Sequence, residues 1–359
     1  MRIQKILIAS LTCLSSAVIA QSESIDDYWD VVDVYEGEHS SFSFSGRLHA
    51  DAVLVESDEG DYEDGDWRRF RFGGKGKING ISYKLEGDFN LNDGAKYKQL
   101  TDANVSWQLN DQTKIKLLKQ SAGFTQDGAT SSNKLKTLER SNIANNLWFT
   151  KEYFTGVNIS GKASDQMSYQ AGVYSSDGDP EIGFDAGTFV LGSLTYKVPE
   201  LSYWDDANIR VDYVYNEEHE EANTRDFEQV ISLSGKFKKN NWGLDTEFAG
   251  GKGYFEQSNL WGVVAMPYYD LNEKVQLVTR YTYMESDEEN GLRLNRYESK
   301  AVDGRGDKYQ ELYAGVNYFV NSHKLKFQLG AYYTDMEDSA QDGGEFSGLT
   351  ITAGMRAYW

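Results

Sequence analysis

The sequence has almost no cysteine and almost no proline. Its single cysteine, Cys13, falls within the first twenty residues, so the rest of the chain can form no disulfide and offers no thiol chemistry. Three prolines in 359 residues leave room for long uninterrupted strands, because proline cannot donate to a sheet ladder. The four histidines, His39, His49, His219 and His323, stand in no recognisable nucleophile arrangement. CxxC, HExxH, GxxxxGK and calcium-loop patterns are absent too. No enzyme, cofactor or dedicated metal site is therefore expected, and His49, which shares a strand face with Asp51, reads as a wall residue. Acidic stretches such as DYEDGD read as solvated loops, with divalent cations bridging lipopolysaccharide as their alternative use. A formal net charge of −20 gives no reason to expect a nucleic-acid partner. After residue 20 there is no run of ~18 apolar residues, which excludes a spanning helix. Mean hydropathy is low at −0.60, but that does not exclude a membrane barrel, in which only alternate residues meet lipid.

The first twenty residues differ from the rest. Arg2 and Lys5 precede the apolar stretch ILIASLTCLSSAVIA, which ends in small residues. This predicts a secretory signal peptide, residues 1–20, cleaved after Ala20. An uncleaved anchor is the alternative, but the run is shorter than the ~20 residues that a spanning helix needs. Residues 21–40 form an acidic lead-in, and residues 41–359 read as one domain with no internal boundary. Export without cysteine suggests a bacterial envelope protein.

What the sequence has in quantity is tyrosine (24), glycine (34) and alternation. In SFSFSGRLHADAVL, Phe42, Phe44, Leu48, Ala50, Ala52 and Leu54 share one face, and Ser43, Ser45, Arg47, His49 and Asp51 the other. The segment LTITAGMRAYW repeats the pattern up to Trp359, as in the aromatic-ended terminal signal of outer-membrane barrels. A period of two over such lengths means strands with one apolar and one polar face. Similar segments between them bring the expectation to about sixteen strands. Their connectors alternate between short turns rich in Asn, Asp, Gly or Ser (KINGIS, LNDQT, KKNN, LNEK) and long acidic loops (ESDEGDYEDGD, NEEHEEANTRD and the stretch after Met284). The predicted fold class is all-β: a transmembrane antiparallel β-barrel of about 16 strands, with an inward-folded constriction loop. A soluble sandwich or propeller would need an apolar core, and the Lys-, Arg- and Asp-rich face is better explained by a wall against water.

The strand phase also sorts the charges. In WRRFRFGGKGK, Phe70 and Phe72 face lipid, so Arg69, Arg71, Lys75 and Lys77 face the lumen. Arg68 falls in the lipid phase and is tolerable only above the membrane or past a bulge. By the same phase Arg47, Lys98, Arg210 and Arg280 are luminal, with Asp102 among the fewer luminal acids. Cations exceed acids there by roughly two to one, and most of the negative charge is left to the loops. A tube of one sign with low-dielectric walls concentrates the opposite ion, so a preference for small anions is expected. The longest non-strand stretch lies between Gln120 and Glu152. A loop of that length inside a compact domain is usually functional, and folded inward it would bring Lys134, Lys136 and Arg140 to a constriction. An exposed outer loop is the alternative.

The order FSFSGRLHAD, WRRFRFGG, ISYKLEGDFNL, DANVSW and GATSSNKLKTLERSN resembles the phosphate-selective porins O and P, most closely from about Phe42 to Asn142. The resemblance implies a trimeric outer-membrane barrel of about sixteen strands. It also implies that Arg47 matches the family's first-strand arginine, and that Arg68 and Arg69 match an arginine pair that helps draw phosphate inward. Two positions depart from the family. Gly128 replaces its phosphate-binding lysine, and Thr101, with Asp102 beside it, replaces its constriction aspartate. A general anion-preferring porin is therefore implied rather than tight phosphate selectivity. Expected partners are two further copies of the chain, lipopolysaccharide and outer-membrane lipids, and small anionic solutes. A general porin with cation or no preference and a structural or adhesive barrel remain the alternatives.

Overall fold

The computed structural model describes residues 33–147, 152–199 and 203–359. Sixteen long strands follow one another around a closed antiparallel barrel. They are β1 Ser40–Ser57, β2 Tyr62–Ile78, β3 Ile81–Asn90, β4 Lys96–Asn110, β5 Thr113–Ser121, β6 Tyr153–Lys162, β7 Met167–Ser175 and β8 Thr188–Lys197. The second half comprises β9 Asp206–Asn216, β10 Phe227–Lys239, β11 Trp242–Gly253, β12 Leu260–Asp270, β13 Val275–Ser286, β14 Lys308–Asn321, β15 Leu325–Glu337 and β16 Phe346–Tyr358. Closure comes from β16 against β1, in register from Gly348↔Ser57 to Tyr358↔Arg47. In hydrocarbon every backbone N–H and C=O needs a protein partner, and a closed barrel supplies one to each strand. Gly46 completes the seam: its N–H donates to Trp359 O at 3.0 Å, and a Cβ there would strike the Trp359 ring.

The connections sort by barrel end. Asn79-Gly80, with φ of 48° and 83°, closes β2 to β3; two residues with positive φ match the strand twist, and Asn-Gly adopts them at least cost. Residues 111–112, 163–166, 240–241, 271–274 and 322–324 turn at the same end. The opposite end carries residues 91–95, 122–152, 176–187, 217–226, 254–259, 287–307 and 338–345. One expectation is corrected here. ESDEGDYEDGD is not a long loop: Val55 pairs with Tyr62 and Asp51 with Asp66, so residues 58–61 are all that remain of it. Backbone pairing does not depend on side-chain apolarity once the strands rise above the lipid, where carboxylates such as Glu63 and Asp64 stay exposed. Of the lead-in, Asp33–Glu36 forms a short strand against β1. The expected signal peptide lies outside the described residues.

The outer wall is apolar. Phe72, Leu85, Val157, Val173, Leu194, Ile231, Leu233 and Leu312 are all exposed on it. Trp242 packs at a tilt against Tyr269 at the turn end (4.7 Å between ring centroids), and Trp261 against Tyr283 at the loop end (5.5 Å), as in the aromatic girdles that mark both membrane interfaces.

The core sits inside the barrel, where two loops fold in. Residues 122–147 carry the short helices α1 Gln126–Ala129 and α2 Asn142–Leu147. Phe124, Ile143 and Leu147 from this loop are buried against Phe154, Phe189, Phe227, Leu260 and Met284 of the wall. Each such burial contributes about 1.5–3 kcal/mol, enough to hold a long loop against its own entropy. Residues 287–307 dock beside it through Leu292, Leu294 and Tyr297. The two loops are stitched together: Arg293 N donates to Asn146 Oδ1 (2.8 Å) and Asn142 Nδ2 to Arg293 O (2.9 Å).

Candidate functional site

Arg47 of β1 faces Arg71 of β2, and His49 faces Arg69. Like charges directly opposite repel, so each must be offset. The register explains why there are so many. Between the His49↔Arg69 and Asp51↔Asp66 pairs, β2 inserts one residue too many. Trp67 stays outside and exposed, while Arg68 turns in beside Arg69, with 23% of its side chain exposed. A bulge of this kind re-aims a side chain, and it reconciles the arginine pair with the strand phase.

The offsetting carboxylates come from the next strand and from the inward loop. Arg47 lies 3.5 Å from Glu86 and Arg71 lies 3.6 Å from Asp88, both on β3. Arg68 pairs with Glu139 (3.5 Å), and Arg140 with Glu152 (2.9 Å). Glu152 also lies 3.7 Å from Arg69 and 3.8 Å from Arg71. Ser132, at the loop tip, is a shared acceptor for Arg47 (3.1 Å), Arg69 (3.3 Å) and the Tyr358 hydroxyl (2.9 Å). Burial alone would raise the Glu152 carboxyl, but Arg140, Arg69, Arg71 and Arg47 outweigh it and hold the group well below the usual carboxylate range.

The loop tip reaches the far wall. Arg280 of β13 forks onto Glu311 (2.8 and 3.2 Å) and also donates to Thr137 Oγ1 (2.9 Å). Lys136 pairs with Asp245 of β11 (2.6 Å), and Asn317 of β14 donates to Lys136 O (2.8 Å). Arg356 of β16 pairs with Asp51 and also reaches Leu138 O (3.5 Å). Arg210 pairs with Asp212 (2.7 Å) and donates to Gly123 O (3.1 Å) where the loop begins. Residues 122–147 thus cross the lumen from the end of β5 to β13–β16. Under them, at the turn end, opens a cavity of about 1430 Å³ lined by Lys134, Lys136, Lys236, Lys238 and Lys274, against Asp270 and Glu273.

Of the residues singled out in the sequence, Arg47, Arg68, Arg69, Arg71 and Arg140 meet in one cluster, Lys136, Arg210 and Arg280 anchor the loop, and Lys134 lines the lower cavity. Asp102 pairs with Lys84 (2.7 Å) at the edge of this network, beside buried Thr101, because another bulge lies between Glu86 and Gly87. Lys98 is exposed near the loop end of β4, away from the cluster. Glu139 and Glu152 were missed because strand phase assigns no side to a loop residue. Their adjacency to arginine or tyrosine in LER and EY was the available signal.

The loop end holds a second basic pocket, about 510 Å³, lined by Arg225, Arg293, Arg296 and Arg305 with Asp303. Burial, then Arg225 and Arg305, push Arg293 down to about 9. Nearby, Glu298 is fully buried and accepts from Thr350 Oγ1 (3.0 Å). Burial, reinforced by Glu311, raises its carboxyl to about 7, above the ~4.3 of a free glutamate. The docked loop therefore binds this proton more tightly than the undocked one, so its docking is strongest in acid and weakens as pH rises to about 7. Hydrogen exchange of residues 292–302, corrected for intrinsic rate, should show protection falling between about pH 4 and pH 7 and level above that. Glu298→Gln should keep it level; an equal fall in that variant would show that Glu298 is not the group responsible.

Solved porins share this fold. An anion-selective porin from Comamonas acidovorans is 10% identical, with a TM-score of 0.63 over 89% of this chain and 100% of that one. Salmonella typhi OmpF is 10% identical, with a TM-score of 0.65 over 91% and 100%. The trimer form of OmpT from Vibrio cholerae is 13% identical, with a TM-score of 0.51 over 90% and 100%. At these identities the likeness is one of fold. The search of curated proteins finds no match. Residues 42–359 match the phosphate-selective porin O and P family. A closed sixteen-strand barrel with its inward loop, matched over that whole span, makes this chain an outer-membrane channel protein that belongs to the phosphate-selective porin O and P family.

Proposed function

We propose that the channel prefers small anions, phosphate among them, and that it works as a homotrimer in the bacterial outer membrane after removal of residues 1–20. The observation that carries this reading is the meeting of Arg47, Arg68, Arg69, Arg71 and Arg140 beside the loop that narrows the lumen. An anion crossing from the loop end meets the arginine pocket, then this cluster, then the lysine-lined lower cavity. Guanidinium groups suit the last contact before translocation, because their fork matches two oxygens of a phosphate or carboxylate. Most of these arginines already have carboxylate partners, which supports passage over tight retention: conduction requires binding weak enough to release. Gly128 in place of the family's lysine supports the same modest affinity.

Ion replacement in single-channel recordings tests the reading. Exchanging chloride for a bulky organic anion should cut the current far more than exchanging potassium for a bulky organic cation. The reverse ranking would favour a cation-preferring general porin, for which Glu86, Asp88, Glu139 and Glu152 would be the selecting groups. No conductance at all would favour a structural role. The trimeric assembly should appear as a heat-labile oligomer in detergent, and a stable monomer by native mass spectrometry would remove it without touching the barrel.

A further inference from the structure

Glu152 sits where an anion would. Its Oε1 lies 2.9 Å from Arg140 and 3.7 Å from Arg69, and its Oε2 lies 3.8 Å from Arg71. Only the first is within hydrogen-bonding distance; beyond about 3.5 Å a contact is electrostatic alone. The cluster therefore offers more donors than this carboxylate satisfies. Arg71 is 2% exposed; its Nη1 donates to Tyr153 Oη, its Nη2 faces Glu152, and its Nε, 3.6 Å from Asp88 Oδ2, has no hydrogen-bond partner among the described residues. Such an unpaired buried donor is costly. A carboxylate has two oxygens in one plane and is tied to the backbone at the start of β6. A free tetrahedral oxyanion has oxygens pointing in four directions and can approach all three guanidinium groups at once. Glu152 retains 19% exposure of its side chain, so it has an open side toward which to withdraw.

We propose that Glu152 is an internal stand-in for the permeating anion: its carboxylate occupies the cradle of Arg69, Arg71 and Arg140 in the resting channel, and an entering oxyanion displaces it. This rests on the anion-preferring reading and assigns Glu152 as the residue that sets how tightly the channel holds oxyanions. With Glu152 in place, an anion gains only the difference between its own contacts and those it replaces, which keeps occupancy low and throughput high.

The test is block of chloride current by inorganic phosphate in planar bilayers. Glu152→Gln should lower the half-blocking phosphate concentration by about tenfold or more. Asp212→Asn also removes one luminal carboxylate, but that carboxylate pairs with Arg210 on β9, away from the cradle. It should leave the half-blocking concentration within about twofold of the parent's. If both variants strengthen block equally, the effect is general charge and the stand-in role is wrong. If Glu152→Gln leaves block unaltered while the channel still prefers anions, the inference alone falls. If parent and variant both prefer cations, the functional reading falls with it. Should Glu152→Gln not assemble, the unmodified protein crystallised with phosphate decides. Phosphate between Arg71 and Arg140 with the Glu152 side chain withdrawn supports displacement, and phosphate bound elsewhere with Glu152 unmoved overturns it.

Discussion

Reversing Arg69 and Arg71 to glutamate should turn the channel from anion-preferring to cation-preferring. The double change moves the local charge by four units, two at each site. It places two carboxylates beside Glu152 and Asp88, which already lie within 3.8 Å of these arginines. A unit-charge pair about 4 Å apart is worth about 4 kcal/mol at an effective dielectric of 20. Even a fraction of that acting on a passing ion exceeds a tenfold change in relative permeability. The zero-current potential in a low-salt gradient should therefore change sign. At 1 M salt the shift should shrink, because the Debye length falls to about 3 Å from about 10 Å at 0.1 M. Four clustered carboxylates also repel one another in the folded barrel, so Arg69→Gln with Arg71→Gln is the milder companion. It should weaken anion preference without reversing it. A sign that does not change in the glutamate variant, with the oligomer intact, would mean that selectivity is set elsewhere, with the lysines around the 1430 Å³ lower cavity as the remaining source.

Deleting residues 133–138 should at least double single-channel conductance, roughly, since a narrowing sets the resistance of a pore. This segment carries the contacts that span the lumen: Leu135 O accepts from Lys326 (2.5 Å), Lys136 pairs with Asp245, and Thr137 accepts from Arg280. Removing it opens the route between the β1–β2 arginines and the far wall. The barrel should survive, because its strand ladders close without the loop and Phe124, Ile143 and Leu147 keep the loop's base packed. Asp245, Arg280, Asn317, Lys326, Gln328 and Arg356 lose partners in the deletion, but in a widened lumen they meet water instead. Unchanged conductance would show that the loop does not set the narrowest point.

The sequence carried the barrel clearly because alternation is a long signal. Phase along β1 and β2 was enough to face Arg47, Arg69 and Arg71 inward, and the length of the stretch after Gln120 marked the loop. Alternation stops being informative at two kinds of place. At a bulge the phase resets, so Arg68 fell on the lipid side until the His49–Asp51 register showed the extra residue. Within a loop there is no phase at all, so alternation could not put Glu139, Glu152 or Glu298 inside the lumen, and counting only strand residues made the wall look more basic than it is. Strand ends mislead for a different reason, through composition. Acidic side chains suggested a long loop at residues 56–66, whereas the backbone ladder continues to Ser57 and resumes at Tyr62.

The most direct measurement of anion preference is the zero-current potential of the unmodified protein in a potassium chloride gradient at low salt. The basic cluster beside the loop requires the sign set by chloride, collapsing toward zero selectivity as salt rises. A potential of the sign set by potassium would contradict it, and would mean that Glu86, Asp88, Glu139 and Glu152, not the arginines they pair with, decide which ion passes.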